Sequence, residues 1–380
     1  MNSFLRKMLL CCIAIMGLNA TQAQEDMKLL VGADFDMYFD NREYVDCKFG
    51  ESQTLFSSRL TPKVGVEWNK YNRLVAAMDL WADHGNNTVV LAKARPQFYY
   101  EFDSKKVAAY AGIFPRSAMK GLRSPLFFDP SYCFYNNSIA GVLARYQNQT
   151  GANYIEFAMD YTGMRSYDVR ESFAIMSSGE YKLNYLFEAI VDPLSIGYNF
   201  YMGHYAKDYN PETIDGVVDN IMLTPYIEYA EVPLFSMGLH CVTFDARLSY
   251  VQSLQRDRIN ENTWEHPFGG ELLVNFGWNG LELSNRLYVG KGSLLSYYNR
   301  YGSDVYHGMS LYRTEKGIYD AIALSYSRWF CNNTVGVKAG ITAEYDGTGW
   351  GTRQWLQVDV TIGNDMSVGS MWRREYPKKQ

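Results

Sequence analysis

Long apolar runs are missing from nearly the whole of this 380-residue chain. Beyond the first two dozen residues nothing approaches the roughly 18–20 uninterrupted apolar positions that a membrane-spanning helix needs, which excludes helical spans. Cysteine is scarce: Cys47, Cys133, Cys241 and Cys331 follow the first two dozen residues, widely spaced and without a C-x-x-C pair. That pattern is neither a zinc site nor a dense disulfide framework. A Cys47–Cys133 bridge and isolated thiols both remain open. An excess of basic charge is also absent, with 36 Lys and Arg against 41 Asp and Glu and a net charge of −5. Nucleic acid is therefore not expected as a partner. Histidine occurs five times and in no cluster, so no metal and no cofactor are expected. Apolar residues at helical spacing are lacking as well.

What the chain does have is alternation. In "LSIGYNFYMGHYA", Leu194, Ile196, Tyr198, Phe200, Met202, His204 and Ala206 form a bulky, mostly apolar row, and small or polar residues stand between them. Period two marks a β-strand with one apolar face. The same pattern recurs with Leu29, Val31, Ala33, Phe35 and Met37, with Leu60, Val64 and Val66, and with Leu356, Val358, Val360 and Ile362. About sixteen such strands are predicted, each near the length a tilted membrane-spanning strand requires. Short connections, such as "NKYN" (69–72), "DSKK" (103–106) and "EVP" (231–233), alternate with long ones such as 40–55, 116–137 and 291–316. Short turns on one rim and long loops on the other describe an outer-membrane barrel. A secreted β-sandwich or propeller would share the alternation, but strand number, strand length and the lack of a blade-length repeat favour the barrel. The 31 tyrosines and 8 tryptophans suit a wall that meets lipid headgroups.

The domain division follows. Arg6 and Lys7, the run "MLLCCIAIMGL" and small residues around Ala23 read as a secretory signal over residues 1–23. Residues 24–363 form an all-β, antiparallel, up-and-down transmembrane barrel. Residues 364–380 are a basic tail, or an extra strand that would raise the count toward eighteen. The expected location is the cell outer membrane, with lipid as the surrounding partner.

Several stretches resemble the porin-like outer-membrane β-barrel proteins of Bacteroidetes. They are the leader's end "ATQAQ", then "YAGIFPR" running into a long loop that returns through "YNNSIAGVLARY", then "GIYDAIALSY" and "DGTGWGTRQWLQVDVTIG". The resemblance implies the barrel and its location and leaves the solute open. Such chains usually stop at the closing strand, whereas this one continues to Gln380.

If the apolar row faces lipid, the polar row faces the lumen. The expected pore lining is Asp34, Asp36, Arg59, Lys63, Glu67, Asp79, Glu156, Asp160, Glu271, Glu282, Arg286, Lys338, Glu344 and Asp359. Unpaired in a dry core each would cost several kcal/mol, so hydration or pairing across the wall is required. The loop "SPLFFDPSYCFYNNS" is too apolar for solvent, so Phe127, Phe128, Tyr132 and Phe134 are expected to fold inward and narrow the pore. Tyr297, Tyr298, Tyr301 and Tyr306 are candidate sugar contacts. The expected function is a porin passing small polar solutes, oligosaccharides included, with homo-oligomers allowed. A plugged barrel serving as an adhesin or docking subunit is the alternative. No catalytic residue is expected: a hydrolase needs a histidine with a partnering acid or hydroxyl, and only Asp83–His84 pairs such groups locally. On the sequence, the chain is not an enzyme.

Overall fold

The structure, a computed structural model, describes residues 27–48, 50–85, 93–121, 125–167, 169–183, 194–206, 217–238, 240–258, 263–291 and 307–363. Its strands are β1 (Lys28–Glu43), β2 (Gln53–Trp68), β3 (Asn72–Asp83), β4 (Lys93–Asp103), β5 (Val107–Pro115), β6 (Ser138–Gln147), β7 (Tyr154–Gly163), β8 (Ser172–Lys182), β9 (Leu194–Tyr205), β10 (Val218–Met237), β11 (His240–Asp257), β12 (Trp264–Glu265), β13 (Phe268–Trp278), β14 (Leu281–Gly290), β15 (Ile318–Phe330), β16 (Val335–Tyr345) and β17 (Trp350–Gly363). All pair antiparallel with their chain neighbours in one sheet. The sheet closes where β1 meets β17, from Gly32 opposite Gly363 to Glu43 opposite Thr352. β12 is a two-residue rung on the end of β11, which pairs directly with β13, so the closed wall has sixteen staves. Closure satisfies every edge, the condition for a sheet to live in lipid.

Burial is inverted relative to a water-soluble protein. On β2, Arg59 and Lys63 are 4 % and 8 % exposed, while Leu60 and Val64 between them are 44 % and 50 % exposed. The apolar row therefore points out and the polar row in, all round the barrel, which is the exterior a bilayer requires. A pair of substitutions at adjacent positions tests this. Val64→Lys should impair insertion by about 2–4 kcal/mol if it lies at mid-membrane, whereas Lys63→Val should leave insertion intact. Equal yields of folded barrel in vesicles from both variants would refute the assignment of faces.

The turns on the short rim use left-handed backbone. Asn69 and Lys70 have φ of 53° and 62°, and Asn279 and Gly280 have φ of 48° and 86°, as two-residue hairpin turns demand. One turn differs from the sequence expectation. "EVP" at 231–233 is no turn: β10 runs on to Met237, and the register slips between Tyr229 and Val232 and again between Pro233 and Phe235. Glu231 takes φ of 57° and its N–H bonds the Asp245 carboxylate at 2.6 Å. Breaker residues here make bulges in a long ribbon, and the chain reverses beyond it, past Gly238 at φ 66°.

Candidate functional site

All fourteen charged residues expected to face inward stand at inner-face positions, and most are ion-paired. Arg59 holds Asp36 at 2.6 Å and lies 4.0 Å from Asp79. Lys63 meets Asp34 at 3.3 Å, and Arg73 joins Glu67 at 2.7 Å to Glu101 at 3.3 Å. Arg145 approaches Glu156 at 3.6 Å and Arg286 approaches Glu271 at 3.5 Å. Glu344 accepts the hydroxyls of Tyr44 and Tyr319. Lys338 lies 5.5 Å from the Trp355 ring centroid, Glu282 is half-buried and Asp359 is buried. Opposite charges on neighbouring strands offset part of the cost of dehydrating each alone.

The lumen is crossed by protein. Residues 125–137 leave the rim and pack inside, carrying a short helix, Pro130–Tyr135. Asp129 caps it by accepting from the Ser131 N–H at 2.8 Å, and Pro130 opens its first turn. Phe134 stacks on Tyr38 of β1 at 5.3 Å, and its carbonyl accepts from Arg59 and Trp81. Phe127 stacks on Tyr201 of β9 at 5.5 Å. β1 and β9 are eight staves apart in a ring of sixteen, so this segment touches opposite walls. Its aromatics go inward because each buried Phe gains about 1.5–3 kcal/mol over exposure to water. A second segment braces it. The Met309 N–H bonds the Pro125 carbonyl at 2.7 Å, the Asp129 N–H bonds the His307 carbonyl at 2.6 Å, and Tyr312 donates to Glu271. Tyr297, Tyr298, Tyr301 and Tyr306 lie outside the described residues. Cys47 and Cys133 are free thiols, and burial pushes each up to about 11.

His307 sits where the two segments meet, its ring 4.1 Å from that of Tyr132. Burial, reinforced by the Arg116 guanidinium and opposed by Asp160, pushes its imidazole down to about 4. The ionisable groups around it are Tyr132, Arg116, Asp160, Asp129 and Tyr201. An unfolded imidazole titrates near 6.5, so between about 6.5 and 4 the undocked state binds the extra proton. Docking is thus fully stable above that window and weakens as pH falls through it, by about tenfold per pH unit. Protection factors of the amides in residues 125–137, taken against the intrinsic rate at each pH, should fall accordingly between about pH 6.5 and 4.5, and His307→Phe should flatten the dependence.

The outer rim carries a different constellation, on the lipid-facing side. Antiparallel register sets Phe173 of β8, His204 of β9, Asp219 of β10 and Arg256 of β11 in one row. His204 Nδ1 lies 2.9 Å from an Asp219 carboxylate oxygen, and Arg258 Nη2 lies 2.8 Å from the other. The Phe173 ring stands 4.9 Å from the imidazole. Toward mid-membrane the next row on this face, Ile175, Met202, Ile221 and Leu254, is apolar, and the one after it sets Phe200 and Leu223 between Ser177 and Gln252. A carboxylate on Nδ1 fixes the tautomer and leaves Nε2 able to take a proton. Asp83–His84, the local pair in the sequence, does not make such a unit: Asp83 accepts from Ser57, and the His84 ring lies tilted against Phe56 at 4.3 Å. Asp219 was out of reach of motif reading because it lies fifteen residues from His204 and meets it only across the β9–β10 register. Among the described residues, no three or more His, Cys, Asp and Glu side chains gather as a metal site.

Similar solved structures are outer-membrane porins. The outer membrane protein opdK from Pseudomonas aeruginosa shares 11% identity over 88% of this chain and 99% of its own, with a TM-score of 0.47. The anion-selective porin from Comamonas acidovorans gives 11%, 88%, 99% and 0.46. Salmonella typhi OmpF in complex with daunomycin gives 10%, 88%, 97% and 0.48. Likeness at this level describes a barrel and nothing of its activity. No curated protein matches the chain in sequence. A family pattern does, over residues 21–349, most of the chain, and it is described as Lipid A 3'-O-deacylase-type. That match overturns the expectation that the chain is no enzyme, an expectation drawn from local motifs alone. The chain belongs to the Lipid A 3'-O-deacylase-type family.

Proposed function

We propose that this chain is an outer-membrane acyl-ester hydrolase acting on an acylated glycolipid of the lipid A kind, with its site on the lipid-facing outer rim. The observation that carries the reading is the Asp219-backed imidazole of His204, placed above an apolar strand face. Acyl chains would lie along Met202, Ile175 and Ile221 while the ester, at the polar boundary, meets the imidazole. His204 Nε2 takes a proton from water as the oxygen attacks the ester carbonyl carbon. The tetrahedral intermediate then collapses, the sugar–oxygen bond to the acyl carbon breaks, and the imidazolium returns the proton to the departing sugar oxygen. Asp219 steadies the transient positive charge. Arg258, 46 % exposed at its side chain, would hold an anionic headgroup group such as phosphate. The test is incubation of the refolded barrel with lipid A in detergent micelles. Loss of one acyl mass from the lipid, with matching free fatty acid, supports the reading; intact lipid in the presence of folded barrel rejects it.

Solute passage is the second reading, and the charged inner wall favours it. With residues 125–137 reaching β1 and β9, passage in this fold would be narrow, and planar-bilayer conductance of the intact protein should be small or absent. Porin-sized steps from the intact barrel would instead favour free diffusion.

A further inference from the structure

At the outer mouth of the same strands lies a half-open pocket of about 420 Å³, counting the part open to solvent, with His204 and Phe173 at its edge. Its floor is the inward segment and its wall is β7, β8 and β9. Phe128, Tyr132, Tyr201, Tyr205 and His307 give it aromatic faces, with Asp160, Thr162 and Ser172 as the polar groups.

Several of its polar groups have no protein partner among the described residues and face the pocket. Tyr201 is 7 % exposed and stacked on Phe127, yet among the described residues its hydroxyl meets no partner. The Tyr132 hydroxyl and the ring nitrogens of His307 are in the same condition, though both side chains line the pocket. Thr162 and Ser172 hydroxyls bond one another at 2.8 Å, which uses one of their two protons and leaves the other to donate. Asp160 is held in place by Arg116 at 2.8 Å and by the Ala140 N–H at 3.0 Å. These hydroxyls and ring nitrogens open to the pocket's solvent, where a ligand can meet them. Flat aromatic faces with hydroxyl, imidazole and carboxylate groups around one small space match the two kinds of surface on a sugar: apolar C–H faces and a rim of hydroxyls.

We infer that this pocket binds a single pyranose ring, stacked on the aromatic wall and hydrogen-bonded by Tyr201, Ser172 and Asp160. The ring could arrive as a free saccharide from outside or as the sugar of a glycolipid. The inference rests on the pocket's own lining and does not require ester hydrolysis, although His204 borders both sites.

Saturation-transfer NMR on the refolded barrel in detergent decides it, with glucose and N-acetylglucosamine as free probes and lipid A micelles as competitor. Transfer to the free sugars, weakened at least fivefold by Tyr201→Phe and by Ser172→Ala, is the expected result. If only lipid A protects the pocket, read as reduced iodination of Tyr201, the sugar comes from a glycolipid. Absence of both signals overturns the inference, as does binding that neither variant weakens. Both substitutions remove one oxygen, and unchanged heat-modifiable gel mobility would show that the barrel is intact.

Discussion

Replacing His204 with Gln should lower acyl release from lipid A by about 10²–10⁴-fold, the usual contribution of a positioned general acid–base. Glutamine keeps the size and polarity of the side chain and can still bond Asp219, but it has no nitrogen that accepts a proton near neutral pH. Asp219→Asn should reduce the rate by a similar order, because an amide on Nδ1 no longer enforces the productive tautomer or stabilises the imidazolium. Arg258→Gln should act differently, raising KM more than it lowers kcat, since its charge serves binding in both ground and transition states. Barrel stability should be little changed by His204→Gln, because the residue sits at the rim and glutamine can keep the contacts with Phe173 and Asp219. Full activity in the His204 variant would place the chemistry elsewhere on the barrel.

The second large effect concerns the lumen. Replacing residues 125–136 with a short Gly–Ser linker should turn a barrel of low conductance into an open pore, with discrete steps several times larger than any seen before deletion. The physical basis is width. Sixteen tilted strands about 4.8 Å apart enclose a ring about 30 Å across at the backbone. Inner-face side chains alone do not fill it. The segment does so by stacking Phe127 and Phe134 on opposite walls and by closing charge pairs such as Arg42–Asp129 at 3.3 Å. The deletion exposes Tyr38, Trp81 and Tyr201 to water and frees Arg59 and Trp81 from the Phe134 carbonyl, but it leaves the interstrand backbone ladder in place, so the barrel should survive. Unchanged conductance in a folded deletion variant would mean that other parts of the chain close the lumen.

Much of this molecule was legible along the chain. Alternation at Leu60, Val64 and Val66 against Arg59, Lys63 and Glu67 specifies both faces of β2, because side chains on a strand alternate by geometry alone. The even spacing of strands and the alternation of short and long connections carried the stave count. The apolar loop around Phe127 and Phe134 announced its own burial by composition. Errors arose where one local signal has two structural outcomes: Glu231 and Pro233 break regular pairing equally well as a turn or as a bulge.

Composition and period two therefore determined by themselves that this is a closed β-wall, greasy outside and charged within. Only the tertiary structure decided which residues meet. His204 and Asp219 become a pair because the β9–β10 register aligns them, and register depends on closure of the whole ring. Tyr38 and Tyr201 face one another's loop aromatics because eight staves separate β1 from β9. Contacts of that kind depend on distance through space, which no spacing along a single strand encodes.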